Sequence, residues 1–150
     1  MKASFAVIFF LILTFACVKN PGSETPIKLA QNEVNSTQMM LASDYASGLL
    51  SNWNSGVFNP IDESKVSSKL AKNLSPESQK AISEQQINPN FGRFIQLVYV
   101  ETYKSSKEYI YRFKGVFERG EPEVRISVDK DNKVSGFLIA PWTNYIPGSS

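Results

Sequence analysis

Arg93-Phe-Ile-Gln-Leu-Val-Tyr-Val-Glu-Thr-Tyr-Lys104 is the stretch of sequence that decides the fold, and Tyr109-Ile-Tyr-Arg-Phe-Lys-Gly-Val-Phe-Glu118 follows it after a short polar turn. In both runs apolar and aromatic side chains recur at about every second residue, which is typical of β-strands. Two further runs, Glu123 to Asp129 and Lys133 to Ala140, are bounded by turn residues. The C-terminal half therefore predicts four antiparallel strands.

The turns also predict a register for this sheet, given by three pairs of opposed residues: Tyr103 with Tyr109, Phe117 with Val124, and Val128 with Val134. This register collects an aromatic-rich set on one face, which is expected to pack on helices. That inner set comprises Ile95, Leu97, Tyr99, Tyr109, Tyr111, Phe113, Phe117, Val124, Ile126, Val128, Val134 and Leu138.

The opposite face of the sheet also receives apolar side chains among charged ones. An apolar band of this size is seldom left exposed on a monomer without a reason. The band predicts a weak homodimer or an envelope protein partner. Its members are Val98, Val100, Ile110, Val116, Phe137 and Ile139.

The apolar spacing before residue 92 is helical. Ser36 is a candidate cap for a first helix that ends near Trp53. Asn59-Pro60 and Ser75-Pro76 are cap-and-proline signals for a second and a third helix, and the third is expected to end before Asn88-Pro89. Helices followed by strands predict the α+β class, with three helices packed on a four-stranded antiparallel sheet in one domain over residues 34–146.

Three runs carry a resemblance to a known family: Gly92-Arg-Phe-Ile-Gln-Leu-Val-Tyr-Val100, Tyr111-Arg-Phe-Lys-Gly-Val-Phe-Glu-Arg-Gly120, and the closing Val124 to Pro141 with its Asp-Lys-Asp-Asn turn. Over residues 36–142 the chain resembles a bacterial family of unknown function in the nuclear-transport-factor-two-like, cystatin-like superfamily. The resemblance implies a cone-shaped fold whose curved sheet wraps a helix and leaves a pocket. It includes no catalytic motif, and fold analogy alone licenses no activity.

The first sixteen residues predict export. Lys2 precedes an almost wholly apolar run from Ala3 to Ala16, which has the form of a signal peptide and is too short for a comfortable membrane span. Leu13-Thr-Phe-Ala-Cys17 resembles the bacterial lipobox, although Thr14 and Phe15 depart from the usual pattern.

Two processing routes stay open at this site. Lipidation of Cys17 accounts for the position of the only cysteine and leaves no stray thiol in an oxidising compartment. Residues 17–33 would then be a lipidated cysteine and flexible tether, holding a membrane-anchored lipoprotein in the bacterial cell envelope, on the periplasmic or outer-surface side. Ordinary signal peptidase would cut at the same bond, and the protein would then be merely secreted.

Composition excludes several classes of chemistry. The chain has no histidine and one cysteine, so a Ser-His-Asp triad, a Cys-His pair and a Cys/His zinc site are impossible. The Asp129 to Asn132 turn is no calcium loop, because Val134 and Ala140 stand where glycine and glutamate are needed. We expect no metal and no cofactor, and the net charge of +2 without a basic run argues against nucleic acid.

Four aromatic residues are candidate lining for a ligand pocket, with core packing the favoured interpretation: Trp53, Tyr99, Tyr109 and Tyr111. The sequence thus predicts a non-catalytic envelope lipoprotein whose domain binds an apolar small ligand or an envelope protein partner. The alternative is a hydrolase- or isomerase-like pocket enzyme of carboxylate or tyrosine type. Asp44 or Glu101 in the pocket beside a tyrosine would favour that alternative.

Overall fold

The computed structural model describes residues 25–144. These residues form five strands and four α-helices: β1 (Ile27–Lys28), α1 (Ser36–Asn54), α2 (Ser68–Asn73), α3 (Pro76–Ile82), α4 (Asn88–Phe91), β2 (Phe94–Lys104), β3 (Glu108–Phe117), β4 (Glu123–Asp129) and β5 (Val134–Ala140). The strands make one antiparallel sheet in the order β1-β2-β3-β4-β5. The α+β class is confirmed, whereas the expected three helices and four strands are not what the structure has. The predicted signal peptide, Cys17 and the start of the tether lie outside the described residues.

The strand missed by the sequence analysis comes from the segment predicted as a tether. In β1, Ile27 lies opposite Lys104 and Lys28 opposite Tyr103, and the Leu29 N–H donates to the Thr102 carbonyl at 2.9 Å. Two residues give too short a run for alternation to be read from sequence. The end of the tether is therefore part of the sheet.

The second predicted helix begins eight residues later than Asn59-Pro60 suggests. Residues 59–67 form no helix, and Ser67 caps α2 by accepting from the Leu70 N–H at 3.3 Å. The preceding backbone is already bonded elsewhere, since the Val134 N–H donates to the Lys65 carbonyl and the Ser67 N–H to the Val134 carbonyl. Because these backbone groups already have partners, the segment after Asn59 does not form the helix that Asn59-Pro60 predicts.

The third predicted helix begins where expected but continues through the expected stop. Ser75 caps α3 ahead of Pro76, and a π turn (Ser83–Ile87) joins α3 to α4, which contains Pro89 in its first turn. In that turn the Asn88 N–H reaches back five residues to the Ser83 carbonyl. The wider turn accommodates a proline that has no N–H to donate.

The sheet register is partly as predicted. Val128 does lie opposite Val134. Tyr109 lies opposite Lys104 and not Tyr103, and Val124 lies opposite Phe113 and not Phe117. The β3–β4 error of four residues leaves the faces unchanged, because the side-chain period in a strand is two.

Elsewhere in the sheet, bulges determine which face each side chain occupies. An extra residue in β5 follows the Val128–Val134 pair and reverses the alternation. Phe137 and Ile139 consequently lie opposite Ile126 and Val124, on the inner face, so their predicted place on the outer face was wrong. Leu138 lies opposite Arg125, on the outer face.

A second bulge lies at the start of β2, between Phe94 and Gln96. It leaves Ile95, predicted to be buried, 59% exposed, and Phe94 packs in the core in its place.

The core lies between α1 and the inner face of the sheet, where Trp53 meets Phe137 edge to face at 5.9 Å. Within residues 25–144 no helix is long and apolar enough to cross a membrane.

Candidate functional site

A groove of about 610 Å³ lies between α1 and the extended segment that precedes α2. The α1 wall carries Thr37, Met40, Leu41, Asp44, Tyr45, Gly48, Leu49 and Asn52. The facing wall and the floor carry Asn59, Pro60, Ile61, Asp62, Lys65, Val66, Gln79 and Val134. The floor is apolar, since Val66 and Val134 are fully buried and Leu49 nearly so.

Helical spacing explains how α1 builds its wall. Leu41, Tyr45 and Leu49 follow one another at four-residue intervals on one side of the groove. Asp44 and Gly48 form part of a neighbouring row that is exposed to solvent. One helix therefore supplies both an apolar surface and a polar rim to the same groove.

Gly48 is the unusual member of this wall. It lies inside a 19-residue helix, where glycine costs about 0.5–1 kcal/mol relative to alanine. A Cβ added there would meet nothing within 4 Å, so no neighbouring group requires a glycine. The missing side chain widens the groove at the middle of its helical wall.

The facing wall is held in place by Gln79, which is only 1% exposed. Its Nε2 donates to the Asn59 carbonyl at 2.7 Å and to the Leu74 carbonyl at 2.8 Å, while its Oε1 accepts from Trp53 Nε1 at 3.2 Å. A buried amide with three partners fixes the extended segment to α1 and α3 at once. Gln79 is thus a positioning residue for the groove.

The groove has three charged lining residues, Asp44, Asp62 and Lys65. Hydrogen bonds from the side chain and the backbone of Ser64 lower the pKa of Asp62, and nearby Lys65 adds to the effect. The Asp44 carboxylate has no hydrogen bond and no ion pair with any residue in the range 25–144. The groove therefore holds one carboxylate with compensating contacts and one without.

Tyr45 is the tyrosine of the groove. Burial raises its pKa to about 12, and its buried hydroxyl has no hydrogen-bond partner within the described residues. A phenol in this state remains protonated at neutral pH and is a poor nucleophile or base.

The four predicted pocket residues do not line this groove. Trp53 and Tyr111 are core residues, and the Tyr111 hydroxyl donates to Gln38 Oε1 at 3.1 Å. Tyr99 is half-buried edge-on to Phe113, and Tyr109 is half-buried beneath the Lys104 ammonium group. Tyr99 and Tyr109 both pack against the core to which Trp53 and Tyr111 belong.

The outer face of the sheet holds a second polar cluster, which we call the Arg112 cluster: Arg112, Glu101, Glu123, Arg125, Lys28 and Trp142. The Arg112 side chain is completely buried and donates to Glu101, to Glu123 at 2.8 Å and to the Thr143 carbonyl. Its guanidinium carbon lies 4.7 Å from the centroid of the Trp142 ring. The chain after β5 thereby covers the middle of the outer face.

The carboxylates of the Arg112 cluster stay ionised. Burial opposes ionisation of Glu123, but hydrogen bonds from Arg112 and Arg125 outweigh it and lower the pKa. The same balance, with Lys28 and Arg112 as donors, lowers the pKa of Glu101. Both groups are therefore unsuited to general acid or base work at neutral pH.

The six predicted interface residues do not form one exposed band. Val98 and Val100 are exposed by 44% and 39%, and Val116 is half-buried. Ile110 is buried against Tyr103. With Phe137 and Ile139 on the inner face, only the β2 positions of the six are well exposed.

The roles of Gln79 and Gly48 and the burial of Arg112 were not predicted from the sequence. A glycine inside a helical pattern is a visible anomaly and could have drawn attention to α1. The role of Gln79 depends on a carbonyl 20 residues away, which no local pattern encodes.

Comparison with family models, with curated proteins and with solved structures gives no match for this chain. Within residues 25–144, no three His, Cys, Asp or Glu side chains are grouped so that they could hold a metal ion.

Proposed function

We propose that this protein is an exported, lipid-anchored binding module that holds a small, largely apolar ligand in the groove beside α1. The groove's volume lies within the range of small-molecule pockets, about 300–1,000 Å³, and its apolar floor with a few polar groups has their usual character. The observation that carries the proposal is the open space at Gly48. The absent side chain opens the groove, although no neighbouring group requires a glycine there.

Gly48 provides the test, with Nile red as an apolar, uncharged probe. Gly48→Trp places an indole in the groove, and we expect it to weaken binding of the dye about tenfold or more, or 1.4 kcal/mol. Gly48→Ala is the matched control. It should retain binding and raise the free energy of unfolding by about 0.5–1 kcal/mol, because alanine is the better helix former.

Both variants are to be compared by fluorescence titration and by thermal unfolding. A folded Gly48→Trp variant that binds the dye as well as wild type would rule out the groove as the binding site. Native mass spectrometry of the purified wild type and the tryptophan variant should then show a co-purified ligand in the first and not the second.

The enzyme alternative has one observation in its favour, since Asp44 lies beside Tyr45 in the groove. Catalysis would need a titratable group of the groove that is poised near neutral pH. The pKa of Tyr45 is raised to about 12 by burial, and hydrogen bonding lowers that of Asp62. Binding without turnover is therefore the better account of the groove.

The lipid anchor is supported by the signal-like start and the only cysteine. Diacylated Cys17 holds the protein at the membrane, because several acyl chains at about 0.8 kcal/mol per buried CH₂ give stable attachment. We expect Cys17→Ser in the full chain to move the protein from the membrane fraction to the soluble fraction or to leave it as a precursor. Labelled palmitate should enter the wild type only, and a wild type that takes up no label is merely secreted.

A weak homodimer or an envelope protein partner at β2 is the second part of the proposal. Val98 and Val100 are exposed on a strand that β1 pairs only at its far end, and such an edge can add a further strand. For the homodimer, Val98→Glu should lower the dimer fraction in sedimentation without changing unfolding. Val57→Glu, at a residue equally exposed but off the sheet, should not. A wild type that sediments as a monomer at high concentration leaves the partner protein only.

A further inference from the structure

The charged groups of the groove are unevenly compensated. Its apolar floor lies below Asp44, whose carboxylate has no partner within the described part of the chain, whereas Asp62 is balanced by Lys65 on the same wall. Lys133 contributes further positive charge near Asp62, and its ammonium group is also tied to the Glu63 carbonyl at 2.9 Å.

The position of Asp44 beside the apolar floor determines which ligand groups can contact its carboxylate. Asp44 follows Leu41 by three residues and precedes Gly48 by four on α1, so it borders the opening left by the missing side chain. A ligand whose apolar part lies over Leu49 and Val66 can present a polar end to this carboxylate. A cation there gains a pair, while an anion meets a like charge.

Resting on the proposed function, we propose that the groove selects amphiphiles whose apolar body carries a protonated amine, and that Asp44 is the group that selects them. The apolar body supplies most of the affinity through buried area. The amine supplies the preference among ligands of the same size. A carboxylate of the same size is the disfavoured class.

Three soluble compounds of matched shape test this inference: 4-phenylbutylamine, 4-phenylbutanol and 4-phenylbutyrate. Each is titrated into the folded wild type at neutral pH, and amide chemical shifts of groove residues report the dissociation constant. We expect the amine to bind about two- to fivefold more tightly than the alcohol, the range of an exposed ion pair, and the carboxylate to bind most weakly. High salt should reduce the preference.

Asp44→Asn removes the charge and keeps the shape. It should remove the advantage of the amine over the alcohol. Glu84→Gln, at an exposed acid that does not line the groove, should leave the preference as in wild type.

The outcomes separate the two proposals. If all three compounds bind equally well, the amine preference is wrong and the groove remains a binding site. If the preference persists in Asp44→Asn, Asp44 is not the selecting group. If none of the three shifts groove amides at millimolar concentration, both the inference and the proposed binding site fall.

Discussion

Arg112→Ala is expected to lower the free energy of unfolding by about 3–5 kcal/mol, the loss found when one partner of a buried ion pair is removed. The side chain is completely buried and neutralises Glu123, itself 1% exposed at its side chain. Without the guanidinium group, the buried Glu123 carboxylate loses one of its two arginine partners, Arg125 being the other, and the Thr143 carbonyl loses a donor. Chemical denaturation monitored by circular dichroism measures the change.

Lys114→Ala is the matched control on the same strand and face. The Lys114 ammonium group also lies near the Trp142 ring, at 5.6 Å, but its ion pair with Glu121 is largely exposed. Its loss should cost no more than about 1 kcal/mol. Equal effects of the two substitutions would mean that Arg112 is held mainly by its contact with the tryptophan.

Acid pH provides a second measure of the same cluster. Because Arg112 lowers the pKa of Glu101 and Glu123 in the folded state, their contribution to stability is present above their ordinary value of 4.5. It is lost as the pH falls through the lowered folded values. The difference between wild type and Arg112→Ala should therefore shrink below about pH 4.5. A difference that stays constant down to strong acid would show that these carboxylates do not pair with Arg112.

The sequence predicted elements better than it predicted faces. The Ser75-Pro76 start, the β3 and β4 inner residues such as Tyr111 and Ile126, and the Val128–Val134 pair follow from local patterns. Bulges reverse the alternation without any local signal in the residues themselves, so the faces of Ile95 and Phe137 could not be predicted.

In the candidate site, too, local sequence patterns predicted one part and distant contacts decided the other. Apolar spacing in α1 predicted a buried stripe, and that stripe includes Leu49 and Leu50. The groove exists because the segment after α1 stays extended where Asn59-Pro60 signals a helix. Distant partners decide that outcome, since Gln79 binds the Asn59 carbonyl and the backbone of Val134 pairs with that of Lys65 and Ser67. A strong local signal was overridden by tertiary hydrogen bonds.

Gln79→Ala should reveal how much of the fold and of the groove depends on this one amide. The substitution leaves two buried groups without their partner, Trp53 Nε1–H and the Leu74 carbonyl, together with the part-buried Asn59 carbonyl. Each unsatisfied buried group costs about 1–3 kcal/mol, so we expect a loss of about 3 kcal/mol or more in the free energy of unfolding. Lys80→Ala, on the same helix but exposed, should stay within about 0.5 kcal/mol of wild type.

Gln79→Glu separates loss of hydrogen bonds from loss of volume. The carboxylate can still accept from Trp53, but it faces the Asn59 and Leu74 carbonyls with no proton to donate. Burial and these carbonyls raise its folded pKa, so the variant keeps most stability at acid pH and loses it as the pH rises through that value. Its deficit relative to wild type should thus be larger at neutral pH than near pH 4, the ordinary range of a glutamate. Two results would contradict this role of Gln79. One is a stability deficit of Gln79→Glu that does not depend on pH, and the other is a Gln79→Ala variant that unfolds and binds Nile red like wild type. Either would show that the segment facing α1 is held by its other contacts.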